Sequence, residues 1–220
     1  MKVSAAELRR RLPGVPAATG MIRAMTARIP DLPDAAPAID PAIELGSGPV
    51  LLRPYREGDA APLYAAVRES LATVGRWMTW CHDGYAAGDS SSWVARCAAA
   101  WRSGEEYAFA IHDTRGEYIG ASGLNHFNRV HNFANLGYWI RESRQRRGFA
   151  TAAVRLTAAF GFAALGLTRI EIVAAVDNRP SRRVAERVGA QLECVARNRL
   201  LLRGVPVAAA VYSLVPHDAV

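Results

Sequence analysis

Residues 143–156, SRQRRGFATAAVRL, crowd four arginines around one glycine and then turn apolar at helical spacing. The stretch follows ANLGYWIR (134–141), which reads as a strand, and it opens a helix expected over residues 149–165. Leu156 and Phe160 supply that helix's apolar side, Ala153 and Ala164 allow close packing, and Gly166 ends it. Gly148, set between strand and helix, permits a backbone conformation that other residues avoid. The N–H groups of a first helical turn have no internal acceptors. With the helix dipole they form an anion site suited to a pyrophosphate, and Arg144, Arg146 and Arg147 add charge at its mouth. A grip on nucleic acid and a merely solvated helix start are the competing readings. The GxxxxGK[ST] spacing is absent, and with Gly148 alone the GxGxxG frame also fails.

Outward from this stretch, PVLLRPY (49–55) reads as a strand and REGDAAPLYAAVRESLATVGRW (56–77) as a helix that Asp59 can cap. A Gly/Asp/Ser-rich loop leads to a second helix, SSWVARCAAAWRSG (91–104), with a serine cap and a glycine stop. EYAFAIHD (106–113), YIGASGLNHF (118–127) and 134–141 form a meander. TRIEIVAAV (168–176) is a strand, and RPSRRVAERVGA (179–190) is a short helix with Pro180 in its first turn. Two closing strands turn around Gly204. The order β-α-α-β-β-β-α-β-α-β-β implies an α+β fold, a mostly antiparallel sheet with helices on both faces. Residues 1–42 differ: six prolines break any long element, although Ser4 and Glu7 have capping-box spacing for a short helix. That segment is read as an extension, or as a leader ahead of a start at Met21 or Met25.

The chain has 220 residues, half of them apolar, enough for one sizeable core. Its net charge is +7 and Lys2 is its only lysine. This basicity favours anionic partners, nucleic acid or phosphorylated small molecules. Cys81, Cys97 and Cys194 are far apart and form no zinc-type spacing, so no metal is expected, and a reducing compartment fits. No apolar run reaches the length that spans a bilayer. The expectation is a soluble, cytoplasmic protein with no membrane partner.

QRRGFA (145–150) matches the [Q/R]-x-x-G-x-[G/A] acyl-CoA loop of the GNAT N-acetyltransferases. The chain resembles the subgroup that contains the ribosomal-protein alanine N-acetyltransferases. LLRPYREGDAAPLY, NLGYWI, GLTRIEI, NRPSRRVAERVGA and RNRLLLRG…VYSLVPHD carry the likeness, in the right order, over roughly residues 43–218. The resemblance implies acetyl-CoA as cosubstrate and a V-shaped splay between strands 134–141 and 168–176. It places pantetheine along the strand edge near Leu136 and Tyr138. The pyrophosphate falls to the loop Gln145, Arg146, Arg147, Gly148, Phe149, Ala150 and Thr151, and Arg183 reaches toward phosphates. Asn178 and Ser181 match the family's N-x-x-S feature, Asn178 as a cofactor contact and Ser181 as stabiliser or proton donor for the leaving thiolate. Read without the resemblance, these two are a loop residue and a helix cap.

No GxSxG motif or activated cysteine is visible, so direct attack by an amine fits. Such a step needs positioning, a polarised carbonyl and proton transfer. Asn135 stands where relatives often carry a glutamate base, and Ala208 where they usually carry an aspartate. Glu171 is the remaining candidate base, with a structural role beside arginines as the alternative. His126 and His131 read as loop histidines. Trp77, Trp80, Trp93 and Trp101 read as core and lid packing, or in part as an acceptor-pocket wall formed by residues 77–85. The acceptor is expected to be a protein N-terminal amine or a small amine. A non-catalytic acyl-CoA sensor and a basic nucleic-acid-binding module are the alternatives. The basic runs lack interleaved aromatics and any DNA-binding motif, which disfavours the module. Exposed strand edges leave a homodimer open.

Overall fold

The computed structural model describes residues 39–218. Eight strands, β1 (Leu45–Ser47), β2 (Val50–Pro54), β3 (Tyr107–Asp113), β4 (Tyr118–Asn128), β5 (Phe133–Ile140), β6 (Arg169–Ala175), β7 (Gln191–Leu202) and β8 (Val205–Leu214), form one sheet in the order β1-β2-β3-β4-β5-β6-β8-β7. Every neighbouring pair is antiparallel except β5 with β6. Four α-helices lie between them: α1 (Ala60–Glu69), α2 (Ala87–Ser103), α3 (Phe149–Ala163) and α4 (Arg179–Arg187).

Strand alternation builds two cores. Tyr107, Phe109 and Ile111 of β3 join Leu136 of β5 and Ile170 and Ile172 of β6 against Val154 and Phe160 of α3 and Ala185 of α4. Ala108 and Ala110 of β3, with Tyr118 and Trp139, face Leu63 and Val67 of α1 and Val94 and Cys97 of α2. Helices thus cover both faces, as the sequence order implies.

Several local expectations change. Strand β1 is additional: Gly48, at φ +58°, lets the chain double back within two residues. The first helix ends at Glu69 rather than near Trp77. Ser70 Oγ donates back to the Ala66 carbonyl at 2.6 Å, and residues 70–77 continue as turns. Asp59 does not cap that helix. Its carboxylate accepts the Arg56 N–H at 2.7 Å and receives both Arg53 guanidinium nitrogens at 2.7 Å. The second helix starts at Ala87, with Ala86 at the cap position and its N–H bonded to Asp89, so no serine caps it. Gly104 does end it, at φ +70°. The Ser4–Glu7 capping box lies outside the described residues, as does most of the segment 1–42.

Candidate active site

Strands β5 and β6 pair for three residues only, Phe133↔Arg169, Ala134↔Ile170 and Asn135↔Glu171. Beyond that point β5 stays with β4 as far as Ile140, and β6 stays with β8 as far as Ala175. The sheet therefore splits along Leu136–Ile140 on one side and Ile172–Ala175 on the other. The cleft in the split is lined by Leu136, Gly137, Tyr138, Ile172, Ala174, Asn178 and Ser181, and also by Trp77, Met78 and Leu200.

On the α3/α4 side, Tyr138 points at the start of α4. Its hydroxyl lies 2.9 Å from Ser181 Oγ and 2.9 Å from the Ser181 carbonyl. Asn178 caps the helix, its Oδ1 accepting the Ser181 N–H at 3.3 Å. The cap role and the cleft position thus coincide in the Asn178–Ser181 pair. Arg183, two residues on, is exposed.

At the outer end of the split sits the loop with Gly148. Gly148 adopts φ +82° and Arg146 φ +63°. The first bond of α3 runs from the Ala152 N–H to the Gly148 carbonyl at 3.1 Å. The N–H groups of Phe149, Ala150 and Thr151 therefore lie ahead of the first intrahelical bond. Arg146 and Arg147 are exposed beside them. A Cβ at Gly148 would meet nothing within 4 Å, so the space beside Gly148 is open. This free polar backbone fits a diphosphate.

Two residues of the loop act differently from expectation. Arg144 is not at the mouth: it pairs with Glu117 and lies 4.0 Å from Asp113. Gln145 turns inward and donates to the Ile140 carbonyl at 3.0 Å. A buttress from α1 completes the support. Arg141 binds Glu69 and Glu117, the Ser143 N–H reaches Glu69 at 2.7 Å, and the Glu142 N–H reaches Ser70 Oγ at 3.0 Å. Burial alone would raise the Glu69 carboxyl, but the bonds from Arg141 and Ser143 outweigh it and hold the carboxyl down at about 2. No sequence signal joins the loop to Glu69 and Ser70, because they lie more than seventy residues away.

On the opposite face, Asn135 and Glu171 are register neighbours at the closed end of the split. Asn135 donates to Asn125 Oδ1 at 2.8 Å. Glu171 Oε1 accepts from Arg169 at 3.0 and 3.1 Å, and Arg169 also binds Glu193. His126 and His131 are exposed. The four tryptophans do not form one cluster. Trp77 lines the cleft, Trp80 packs on Trp139 and Tyr85, Trp93 meets Tyr55 edge-on, and Trp101 belongs to the other core beside Phe109 and Phe160. Arg203 on the β7–β8 hairpin donates to the Gly75 carbonyl at 2.9 Å, tying that hairpin to the Trp77 loop. Met78 falls within the loop 77–85 read as a pocket wall; the sequence reading missed Leu200 and the side-chain role of Tyr138. Only Tyr138 carried a signal, sharing a strand face with Leu136.

A sheet opened between two parallel strands, with a glycine-led helix N-terminus at the open end, is the frame of the acyl-CoA-dependent N-acyltransferases. The pattern of the acetyltransferase (GNAT) domain family matches residues 50–191, well over half of the chain, and the chain belongs to that family. YoaA of Bacillus subtilis, named as an uncharacterised N-acetyltransferase, is 35% identical over 114 residues, which is 52% of this chain and 64% of YoaA, just under two thirds. The B. subtilis protein named "Putative ribosomal N-acetyltransferase YdaF" is 29% identical over 77% of this chain and 92% of its own. Among solved structures, Mycobacterium smegmatis RimJ in complex with CoA-disulfide superposes with a TM-score of 0.71 at 27% identity, covering 80% of this chain and 89% of RimJ. Among the described residues no helix is long and apolar enough to cross a membrane, and no cluster of three metal-ligating side chains occurs.

Proposed function

We propose that this protein moves the acetyl group of acetyl-CoA to a primary amine by direct attack, with the amino terminus of a protein as the acceptor class. The observation that carries the reading is the loss of β5–β6 pairing after Asn135 and Glu171, with the free N–H groups of Phe149, Ala150 and Thr151 at the open end. The relationship to RimJ, whose structure holds a CoA species, supports the donor. The name of YdaF supports the acceptor.

In this reading the loop from Arg146 to Thr151 holds the diphosphate through main-chain N–H groups, and Arg146, Arg147 and Arg183 attract it. The unpaired edge of β5 at Leu136 and Tyr138 receives the pantetheine amides. Asn178 orients the start of α4, and Ser181 supplies a proton to the leaving sulfur. The acceptor enters from the face of Asn135 and Glu171, between the Trp77–Met78 loop and Leu200. Glu171, fixed by Arg169, takes the amine proton through water.

The test is release of free CoA from acetyl-CoA with a panel of ribosomal-protein N-terminal peptides and small amines, read alongside mass spectrometry of the acceptors. Acetyl-CoA-dependent mass gain on an α-amine is the expected result. Tight acetyl-CoA binding without turnover on any amine would make the protein a sensor instead. Glu171→Gln is expected to slow turnover by about a hundredfold at neutral pH, the low end for general-base loss. An unchanged rate would return Glu171 to a structural role beside Arg169.

A further inference from the structure

Two phenols reach the first turns of α4, and they do so differently. Tyr212 of β8 accepts from Arg182 Nε at 3.0 Å and donates to Glu186 Oε1 at 2.9 Å. It is a clamp between charged groups, outside the cleft. Tyr138 of β5 lines the cleft with Asn178 and Ser181, and both of its contacts are to Ser181. The carbonyl contact alone would pin the helix. A phenol has one proton and a carbonyl only accepts, so at rest the Tyr138 O–H serves the Ser181 carbonyl and the Ser181 hydroxyl donates to the phenol oxygen, which fixes a rotor that would otherwise turn freely.

We infer that Tyr138 is the positioning and proton-resupply partner of Ser181. It holds the Ser181 hydroxyl at rest; as the thiolate departs, Ser181 turns its O–H to sulfur and the phenol turns its own from the carbonyl to Ser181 Oγ. The inference rests on the acetyl-transfer reading above. As the amine nitrogen bonds to the acetyl carbon, the C–S bond breaks and sulfur leaves with the electron pair. Ser181 Oγ gives its proton to sulfur, and the Tyr138 hydroxyl proton moves to Ser181 Oγ. Water then reprotonates the phenolate, and Glu171 passes the amine proton on to water. No net charge stays on the protein.

Burial keeps the phenol in its protonated form at rest. It pushes the Tyr138 hydroxyl up to about 12, the bond with Ser181 pulling the other way and the Tyr212 hydroxyl adding a smaller rise. The group therefore enters each cycle protonated. A phenol at the wall of the cleft stands where it can donate toward a developing anion.

Tyr138→Phe removes only the hydroxyl. The expected result is a kcat lower by about tenfold to a hundredfold, the range for a hydrogen bond to a charged group. The KM for acetyl-CoA should stay within about twofold, since the loss falls on the transition state. Because the two hydroxyls act as one unit, Tyr138→Phe added to Ser181→Ala should cost less than about twofold more. Tyr212→Phe loosens the same helix without touching Ser181 and should leave kcat within about twofold. If it slows turnover as much as Tyr138→Phe does, pinning of α4 explains the effect and the inference fails.

A second readout needs no turnover. Calorimetric affinities for CoA and desulfo-CoA are compared between about pH 6 and pH 9, across the thiol range. Wild type should favour CoA increasingly as the pH rises, and Tyr138→Phe should erase that slope. An unchanged slope overturns the inference. Failure of the wild type to bind CoA at all would overturn the acetyl-transfer reading instead. Should Tyr138→Phe not fold, 3-fluorotyrosine at 138 keeps both bonds but lowers the proton affinity of the phenol. Under the inference the pH at which CoA gains its advantage moves; under pinning alone it stays.

Discussion

Gly148 separates backbone geometry from charge, and three substitutions divide the two. At φ +82° an L-residue pays about 1–2 kcal/mol for the left-handed conformation. A Cβ there meets nothing within 4 Å, so no steric term adds to it. Gly148→Ala should therefore lower the melting temperature by roughly 2–8 °C in a chain of this size. Its acetyl-CoA affinity should fall less than about tenfold. Gly148→Gln adds bulk over the N–H groups of residues 149–151 without charge. Gly148→Glu adds the charge. Two unit charges at about 4 Å interact by about 4 kcal/mol at the effective dielectric near a protein surface, and the exposed loop roughly halves this by screening. Against the roughly two charges of a pyrophosphate the penalty becomes about 2–4 kcal/mol, or about 30-fold to 1000-fold in Kd. Isothermal titration of all three variants at low and high salt reads it directly. The Glu variant should weaken most and recover partly as salt rises. Equal affinity of the Gln and Glu variants, or wild-type affinity in both, would show that no phosphate sits over this helix N-terminus.

Other consequences follow from the frame of the site. In Glu69→Gln the buttress of the loop is lost. The Glu69 carboxyl is depressed to about 2 in the folded chain, so its stabilisation is complete above the ordinary carboxylate range and fades as the pH falls toward 2. Urea unfolding at a series of pH values should give a flatter curve between about pH 5 and pH 2 for the variant. An unchanged slope would mean that the Arg141 pair adds nothing. Gly75→Ala places a Cβ 2.3 Å from the Leu71 carbonyl and 2.5 Å from that of Cys81. The Trp77 loop must shift, at about 1–3 kcal/mol. Steady-state kinetics should show a higher KM for the acceptor with acetyl-CoA affinity little changed; equal losses for both would place that loop outside the acceptor side. Asp59→Ala strands Arg53, whose side chain is only 13% exposed. The expected loss is about 3–5 kcal/mol, visible as a melting point lower by roughly 6–20 °C; a shift under about 2 °C would show that water relieves the stranded guanidinium.

Much of this site was readable because its parts are local. A glycine after a strand and before an apolar helix marks the proposed anion loop within a dozen residues, and the Asn178–Ser181 spacing marks the start of α4. The rest depends on pairing over distance. Nothing in residues 133–140 says that parallel pairing with β6 ends after Asn135. Arg144 looked like one more free arginine because Glu117, its partner, lies on the preceding hairpin. Asp59 looked like a helix cap because its bond to Arg53 reaches backward onto a strand. The first helix was drawn too long because its apolar spacing continues through Leu71 and Val74, which are packed as turns rather than as helix.

The split itself has a physical origin in the strands around it. Between Asn125 and Asn128 the β4–β5 ladder slips, with His126 at φ +51°. A bulge of this kind bends its strand and increases local twist, and it lies beside the last β5–β6 pair. Strand β6 remains committed to β8 for six register pairs, from Ile170 to Ala175. With one partner turning and the other held, the two parallel strands cannot remain within bonding distance, and the edge from Leu136 onward is left without a strand neighbour on the β6 side. Unpaired buried backbone is costly, which makes the opening a site that demands a polar, extended ligand. Straightening the β4 bulge by deleting His126 should therefore extend β5–β6 pairing and abolish acetyl-CoA binding while the fold persists. Amide exchange at Leu136–Ile140 and calorimetry would read both effects. Retained binding with new protection at those amides would show that the split is not what receives the ligand.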